Sequence, residues 1–235
     1  THENSPVAVR WKDWRNAPAL RREVVRIALP GIAERIVMNI AMLGYFWVLG
    51  HYYGTVEVAA YTVGVALLSF SWIPGTGYAQ ACATLIGQSL GENEPRYAKR
   101  VGWRSARLAL GTAIVLGIIV AVARYPLARL FTADEAVVAA LGPFMLALAI
   151  AQPFLQLHFT LGGAHRGAGD TWTPLVAATV GNWVFRVPLA LIFAIVLQAP
   201  VVWVWYTLII DHVARAIWLT ISFRRGRWVH HLKNP

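Results

Sequence analysis

The stretch that decides the fold is RSARLALGTAIVLGIIVAVA, residues 104–123. After Arg107 it carries no charged side chain before Arg124. A helix needs about 20 mostly apolar residues to cross the hydrocarbon core of a bilayer, and this stretch has that length and character. Its apolar residues do not alternate with polar ones, so the pattern favours a membrane-spanning helix over a strand.

Five further stretches have the same character. They cover residues 25–49, 58–86, 136–159, 174–197 and 201–223. The whole chain is 57% hydrophobic and 14% charged, whereas a soluble domain has roughly 25% charged residues. The sequence therefore predicts an all-α, polytopic membrane protein built as a bundle of about six transmembrane helices.

The Lys and Arg residues are distributed unevenly between the two ends of these helices. Sixteen of them fall on the side that holds both termini, and only Arg124 and Arg129 fall on the other. Because cytoplasmic loops carry the excess of Lys and Arg, we expect both termini in the cytoplasm and the protein in the cell (inner) membrane. The same distribution assigns the net charge of +10 to orientation and to contact with membrane lipid, and argues against nucleic acid as a partner.

The composition also divides the chain into segments. We expect residues 1–23 to form a cytoplasmic linker or amphipathic lead-in, residues 24–228 a six-helix membrane lobe, and residues 229–235 a cytoplasmic tail. The chain opens at Thr1 with a polar stretch rich in Trp and Arg, without a signal-peptide pattern. It is therefore interpreted as the middle of a longer polypeptide.

Several helix breakers lie within the predicted spans. Among them are Pro30 in the first, Pro74, Gly75 and Gly77 in the second, and Pro188 in the fifth. A proline inside a helix removes one backbone hydrogen bond and bends the helix. Interrupted helices mark transport sites in many transporters, so these positions are candidates for structural or gating roles, with a static kink as the alternative.

Two charged residues lie in the first predicted span. Charges at membrane depth are costly and are functional candidates by default. Glu34 is the candidate for a coupling-ion site, with an ion pair to Arg35 or to the basic loops as the alternative. Arg35 is a candidate for a cavity wall or for a side chain that extends to the lipid headgroups. Neighbours in sequence point to different faces of a helix, so each needs a partner on another helix.

Other polar residues occur at membrane depth. Arg186 lies about 18 Å into the fifth span, close to the midplane, with Asn182 one turn before it. The remaining members of this polar set are Asn39, Gln80, Gln152, Gln156 and His158. Together they predict a stripe that faces a cavity for substrate, while each alone is also compatible with hydrogen bonding between helices.

Two aspartates are interpreted as structural. Asp211 and Arg215 are four residues apart, a spacing that permits an ion pair within one helix. Asp170 belongs to a G-x-G-D sequence that also occurs in intramembrane aspartyl proteases. It precedes Thr173 and Pro174, which we expect to be the N-cap and the first residue of the fifth helix, so Asp170 suits the helix dipole there.

Several chemistries have no motif in the chain. It contains no G-x-x-x-x-G-K-[ST] loop, no H-E-x-x-H and no Cys/His metal spacing. We therefore expect no enzymatic activity, no metal and no cofactor. A transporter built from this chain would use a proton or sodium gradient.

Four segments resemble the multidrug and toxic compound extrusion (MATE) family. They read GVALLSFSWIPGTGYAQACATLIGQSLGENEPRYA (64–98), GGAHRGAGDTWTP (162–174), NWVFRVP (182–188) and RRGRW (224–228). The resemblance covers nearly the whole chain and identifies it as the carboxy-terminal six-helix lobe of a two-lobe fold. It implies a cation-coupled antiporter that exports drugs or small organic substrates, organic cations among them, by alternating access.

The resemblance also carries expectations about sites and partners. Some members use an acidic residue in the first helix of this lobe, where Glu34 is the candidate. Some use an aspartate in the fourth helix, but residues 136–159 contain none. The expected partner is a missing amino-terminal lobe or a second copy in a homodimer.

Two alternatives remain open at this stage. A lipid-linked sugar flippase of the same superfamily would have a more cationic cavity, which Arg35 and Arg186 would suit. From another class, the chain could be a non-transporting membrane scaffold or an intramembrane aspartyl protease that uses Asp170 and Asp211.

Overall fold

The fold is an all-α bundle of six long helices. The computed structural model describes residues 18–230, and the side chains at positions 19, 20, 23 and 230 fall outside that description. The helices are α1 (Pro18–Tyr52), α2 (Thr55–Gly91), α3 (Pro95–Phe131), α4 (Glu135–Gly167), α5 (Trp172–Val196) and α6 (Val201–Arg225). A turn of 3₁₀ helix, Arg227–His230, follows α6. Residues 1–17 of the predicted linker and 231–235 of the predicted tail lie outside the described part.

All six helices are long and apolar enough to cross a membrane. Their ends extend beyond the apolar runs, because polar residues continue the helices past the hydrocarbon core. Many large apolar side chains on the outside of the bundle are exposed, among them Leu43, Phe70, Ile73, Val122 and Leu130. Such a surface suits lipid and not water. The chain is a polytopic membrane protein.

The fifth helix is not uniform. It is α-helical over Trp172–Val180 and Val187–Leu191, and π-helical over Gly181–Arg186 and Ile192–Val196. A π turn holds one more residue than an α turn and is frequent at functional sites. Pro188 lies two residues beyond the first π segment, at a point where the backbone hydrogen-bond pattern changes.

The start of α5 differs from the prediction. The helix begins at Trp172 with Thr171 at the N-cap, so Thr173 is not the N-cap and Pro174 is not the first helical residue. The capping is done instead by Asp170, whose carboxylate accepts hydrogen bonds from the backbone N–H and the hydroxyl of Thr173. Asp170 can cap from this position because a capping side chain accepts from the backbone N–H two or three residues further on.

The fourth helix is the centre of the bundle. Of its most apolar stretch, 61% lies inside the protein, against 22% for α1 and α3, so α4 forms the core against which the others pack. It contacts α2, α3 and α6 extensively. The first helix lies at the periphery and packs mainly against α5 and α2.

Small residues bring α2 and α4 into close contact. A Cβ added to Gly163 would lie 2.2 Å from the carbonyl oxygen of Ala79, and one added to Gly167 would lie 2.2 Å from that of Ala83. The two glycines are four residues apart, as are the two alanines, so both pairs lie on facing stripes. Association of helices in a membrane depends on such close packing of small residues.

Two aromatic clusters fill the remaining core. In the first, Trp205 stacks on Tyr61 with ring centroids 6.1 Å apart and meets Phe144 edge to face at 5.0 Å. In the second, Trp228 of the 3₁₀ turn stacks on Phe223 at 4.7 Å and donates its indole N–H to the Phe223 carbonyl. The second cluster packs the 3₁₀ turn back against the end of α6.

Candidate functional site

Two adjoining cavities lie where α1 meets the rest of the bundle. The larger has a volume of about 380 Å³ and includes Glu34, Gln80 and Arg166 in its wall. The smaller has a volume of about 130 Å³. Its charged and polar lining residues are Arg35, Asn39, Tyr61, His158, Asn182, Arg186, His212 and Arg215. The two cavities share lining residues, including Arg35 and Trp72, so they are neighbouring parts of one polar region.

The larger cavity contains an ion pair between helices. Arg166, in the last turn of α4, donates to both carboxylate oxygens of Glu34 on α1, with the shorter distance 3.1 Å. The side chains are 35% and 19% exposed, respectively, so the pair is only partly shielded. The predicted need of Glu34 for a partner on another helix is thus met.

The smaller cavity is backed by a network of buried charges. Arg215 donates hydrogen bonds to both carboxylate oxygens of Asp211 within α6, with Nη2 2.8 Å from Oδ2. The predicted pair within the helix is confirmed. Arg186 approaches Asp211 at 3.9 Å from α5. The backbone of Gly181 passes so close that a Cβ there would lie 2.2 Å from Asp211 Oδ1.

Arg186 makes its closest contacts with tyrosines. Its Nη2 donates to the Tyr61 hydroxyl at 3.1 Å, and its guanidinium carbon lies 4.6 Å from the centroid of the Tyr45 ring. Tyr45 in turn donates to the Val204 carbonyl at 2.7 Å. A tyrosine hydroxyl or ring face attracts a cation but carries no formal negative charge. The two tyrosines therefore hold the Arg186 guanidinium at the cavity without neutralising its positive charge.

Two histidines that line the smaller cavity contact each other directly. Nε2 of His158 on α4 and Nδ1 of His212 on α6 are 3.1 Å apart, and the rings stack at 5.1 Å. One ring nitrogen donates and the other accepts, so the pair holds a proton between them. Both rings are buried, and Arg215 lies next to His212 in the same wall.

The glutamines of α4 do not line either cavity. Gln152 donates to the hydroxyl of Ser71 and Gln156 donates to the Ser71 carbonyl, which ties α4 to α2. The side chain of Gln156 also lies against Gly75, where an added Cβ would come within 2.9 Å of its oxygen. In this structure both glutamines are hydrogen-bonding contacts between helices.

The other predicted positions are spread over the region. Asn39 lines the smaller cavity and Gln80 the larger, and both side chains are exposed. Pro30 is buried within α1, and α2 continues as a helix through Pro74. Gly77 is exposed, and a Cβ there would touch nothing within 4 Å.

Asp170 lies outside the spans, in the turn between α4 and α5. It is buried, and its Oδ2 lies 2.9 Å from Nδ1 of His165. Burial alone would raise the pKa of Asp170, but the hydrogen bonds from His165 and Thr173 outweigh it and lower the pKa from 3.8 to about 2. Asp170 and Asp211 belong to separate networks, each already engaged with its own partners.

Some residues of the region were not singled out from the sequence. Tyr45 and Tyr61 hold Arg186 but lie 16 residues apart on different helices, so no sequence pattern connects them. The sequence could have indicated His212, because it is a titratable residue one position after Asp211. It could also have indicated Arg166, because this is an isolated arginine just outside a predicted span.

The sequence of this chain matches one protein-family model and several curated proteins. The family model described as MatE matches residues 30–192. The probable multidrug resistance protein NorM of Thermotoga maritima is 26% identical over 208 residues, which cover 88% of this chain and 45% of that protein. The chain thus spans less than half the length of this relative.

Solved structures share the fold. A crystal structure of MATE in complex with MaL6 matches with a TM-score of 0.84 at 19% identity, over 99% of this chain and 52% of that one. A MOP superfamily transporter from Pyrococcus furiosus, described as having a binding pocket of reverse polarity that suggests a different function, matches with a TM-score of 0.78 at 19% identity. That match covers 84% of this chain and 43% of the other.

Proposed function

The chain belongs to the MatE family, and on that premise we propose that it forms the carboxy-terminal lobe of a multidrug efflux transporter. The transporter would exchange a small organic substrate for a proton or a sodium ion. The relatives that match this chain are named as multidrug resistance proteins and not as enzymes. The protease alternative is therefore set aside.

The observation that carries this proposal is the polar region between α1 and the bundle. Buried or half-buried ionisable groups line two adjoining cavities at membrane depth. Such groups are costly in a bilayer and belong to pathways for substrates and ions. A second lobe placed against this face would enclose the region, as alternating access requires.

We propose Glu34 as the coupling residue. A proton on its carboxylate, or a sodium ion beside it, competes with Arg166 for the same oxygens. Either event weakens the contact that joins α1 to the end of α4. Because α1 packs loosely at the periphery of the bundle, it is the helix that such a change would release.

The partner and location follow from the same proposal. The chain would pair with an amino-terminal lobe or with a second copy of itself. Both termini would lie in the cytoplasm, with the protein in the cell membrane. Pro30, Pro74, Gly75, Gly77 and Pro188 would allow the bending that accompanies a change of access.

Exchange in liposomes tests the proposal. The chain is reconstituted, alone and together with its partner half, and a pH or sodium gradient is imposed. Ethidium is added as the organic cation, and internal pH and ethidium are followed. We expect ethidium transport driven by one of the two gradients. Folded protein that moves no ethidium under either gradient, with the partner half present, would contradict it.

A lipid-linked sugar flippase is the second candidate, and one observation favours it. Three arginines, Arg35, Arg186 and Arg215, line the smaller cavity, and no acidic residue among the described positions does so. A cationic wall suits a substrate with phosphate groups. Transfer of a fluorescent lipid-linked sugar between the leaflets of the same liposomes, without ethidium transport, would select this function.

A further inference from the structure

We propose that the smaller cavity binds an anionic group between Arg186, Arg215 and Asn182. The inference concerns binding in the lobe itself and does not depend on the efflux function. The shared chemistry is a compact anion, supplied either by a free anion such as chloride or by the headgroup of an anionic lipid.

The first argument is the balance of charge. Behind the cavity two arginines, Arg186 and Arg215, face a single carboxylate, that of Asp211. Arg215 occupies both oxygens of this carboxylate, and Arg186 reaches it only at 3.9 Å. One positive charge is left without a formal counter-charge near the midplane, where an uncompensated charge is costly.

The second argument is the identity of the unpaired polar atoms. Among the described residues of this cavity, Nδ2 of Asn182 and Nε of Arg186 are buried without a hydrogen-bond partner. Asn182 is 3% exposed and the side chain of Arg186 14%. Both atoms are N–H donors, and buried donors are almost always paired. Each of the two therefore lacks an acceptor.

The third argument is that every helix around the cavity presents a donor or a cation. Arg35 and Asn39 come from α1, Tyr61 from α2, His158 from α4, and His212 from α6. The lining therefore holds three arginines and, among the described residues, no carboxylate.

The size of the cavity limits the occupant. About 130 Å³ holds a small anion together with several water molecules, since one water needs about 10–15 Å³ of such space. It does not hold a drug-sized molecule, which fills roughly 300 Å³ or more. The site is therefore one for an ion or for a single charged group of a larger molecule.

Thermal unfolding of the purified chain in a neutral detergent tests the inference. Chloride is titrated against gluconate at constant ionic strength, and tryptophan fluorescence reports the melting temperature. We expect a saturable rise of about 5 °C at a hundredfold excess of chloride over its Kd. In a second arm, phosphatidylglycerol is compared with phosphatidylcholine in the micelles. A rise with the anionic lipid and none with chloride would assign the same site to a headgroup.

Two variants and one control locate the effect. Asn182→Asp places a carboxylate in the cavity, so we expect it to raise the melting temperature in gluconate and to abolish the response to either anion. Arg186→Gln should abolish the response as well. Arg124→Gln is the matched control, because Arg124 also lies over a tyrosine ring, at 4.9 Å from Tyr125, but outside the cavity. We expect it to respond as the unchanged chain does.

The proposal is overturned by either of two results. The first is the absence of a saturable response to both chloride and phosphatidylglycerol. The second is a response that persists in Asn182→Asp. The Asn182 variant keeps the test valid even when Arg186→Gln, which also loses contacts with Tyr45 and Tyr61, does not fold.

Discussion

Glu34 and Arg166, 132 positions apart in sequence, join the peripheral helix α1 to the end of the central helix α4. Among the described residues no other pair of opposite formal charges joins α1 to the bundle within 4.0 Å. The contact combines two properties that a coupling site needs. It is partly shielded, and it links the peripheral helix to the central one.

Glu34→Gln tests the role of this carboxylate. The amide cannot take up a proton or attract a sodium ion, so we expect substrate-driven ion exchange in liposomes to fall to the level of empty liposomes. Glu135→Gln is the control, since Glu135 also pairs with an arginine, Arg129, but at an exposed position far from the cavities. Exchange that continues in Glu34→Gln would move the coupling site elsewhere.

Asp211→Asn should destabilise the protein strongly. Within the described part of the chain, the change removes the one carboxylate that pairs with Arg215, and it leaves both Arg215 and Arg186 uncompensated. Breaking one side of a buried ion pair costs about 3–5 kcal/mol. Thermal unfolding in detergent measures the loss, and the double variant Asp211→Asn/Arg215→Gln should recover part of it. A double variant that is less stable than Asp211→Asn would show that the broken ion pair is not the cause of the lost stability.

Gly163→Ala tests the close contact between α2 and α4. The new methyl group would meet the Ala79 carbonyl oxygen at 2.2 Å, so the helices must separate. We expect a loss of about 1–3 kcal/mol in unfolding free energy. Gly111→Ala on α3 is the control, because a Cβ there meets nothing within 4 Å, and we expect no loss of stability from it. If the two substitutions changed the unfolding free energy equally, helix propensity and not the contact with Ala79 would explain the effect of Gly163→Ala.

Asp170 predicts a pH dependence at the turn between α4 and α5. Its pKa is about 2 in the folded protein and 3.8 as the ordinary value, so its contribution is fully present above about pH 4 and is lost as the pH falls toward 2. The contribution amounts to about 2 kcal/mol. In Asp170→Asn it should be absent at every pH.

Melting temperatures of the two proteins between pH 6 and pH 2.5 measure this contribution. We expect the unchanged chain to be the more stable at pH 6, and the difference to narrow below pH 4. A constant difference across the range would show that the carboxylate charge does not act here.

The sequence predicted the number and approximate placement of the helices because each span is a long apolar run. It underestimated their length, as in α2 and α3, because helices continue into polar segments that no hydropathy pattern marks. It also misplaced the start of α5, because Thr173 and Pro174 match the usual start signal, whereas Asp170, three residues earlier, supplies the capping carboxylate.

The sequence predicted several residues of the candidate site but not the contacts between them. Glu34, Arg186 and Asn182 were predicted because they are polar residues within apolar spans. Their partners, Arg166, Tyr45 and Tyr61, come from other helices, and the pairing depends on how the helices pack. The Gly163–Gly167 spacing did carry a signal, since small residues four apart mark close contact between helices.

The two π segments of α5 each contain one residue more than an α-helical turn would. Each holds one surplus residue, and moving that residue along the helix exchanges one set of backbone hydrogen bonds for another without leaving any unmade. The stretch that the surplus residue passes then turns by about 100° and shifts by about 1.5 Å, as one residue of α-helix does, while the rest of α5 stays in place. Because Asn182 and Arg186 lie in the first segment, such a step would redirect cavity side chains without moving the ends of the helix.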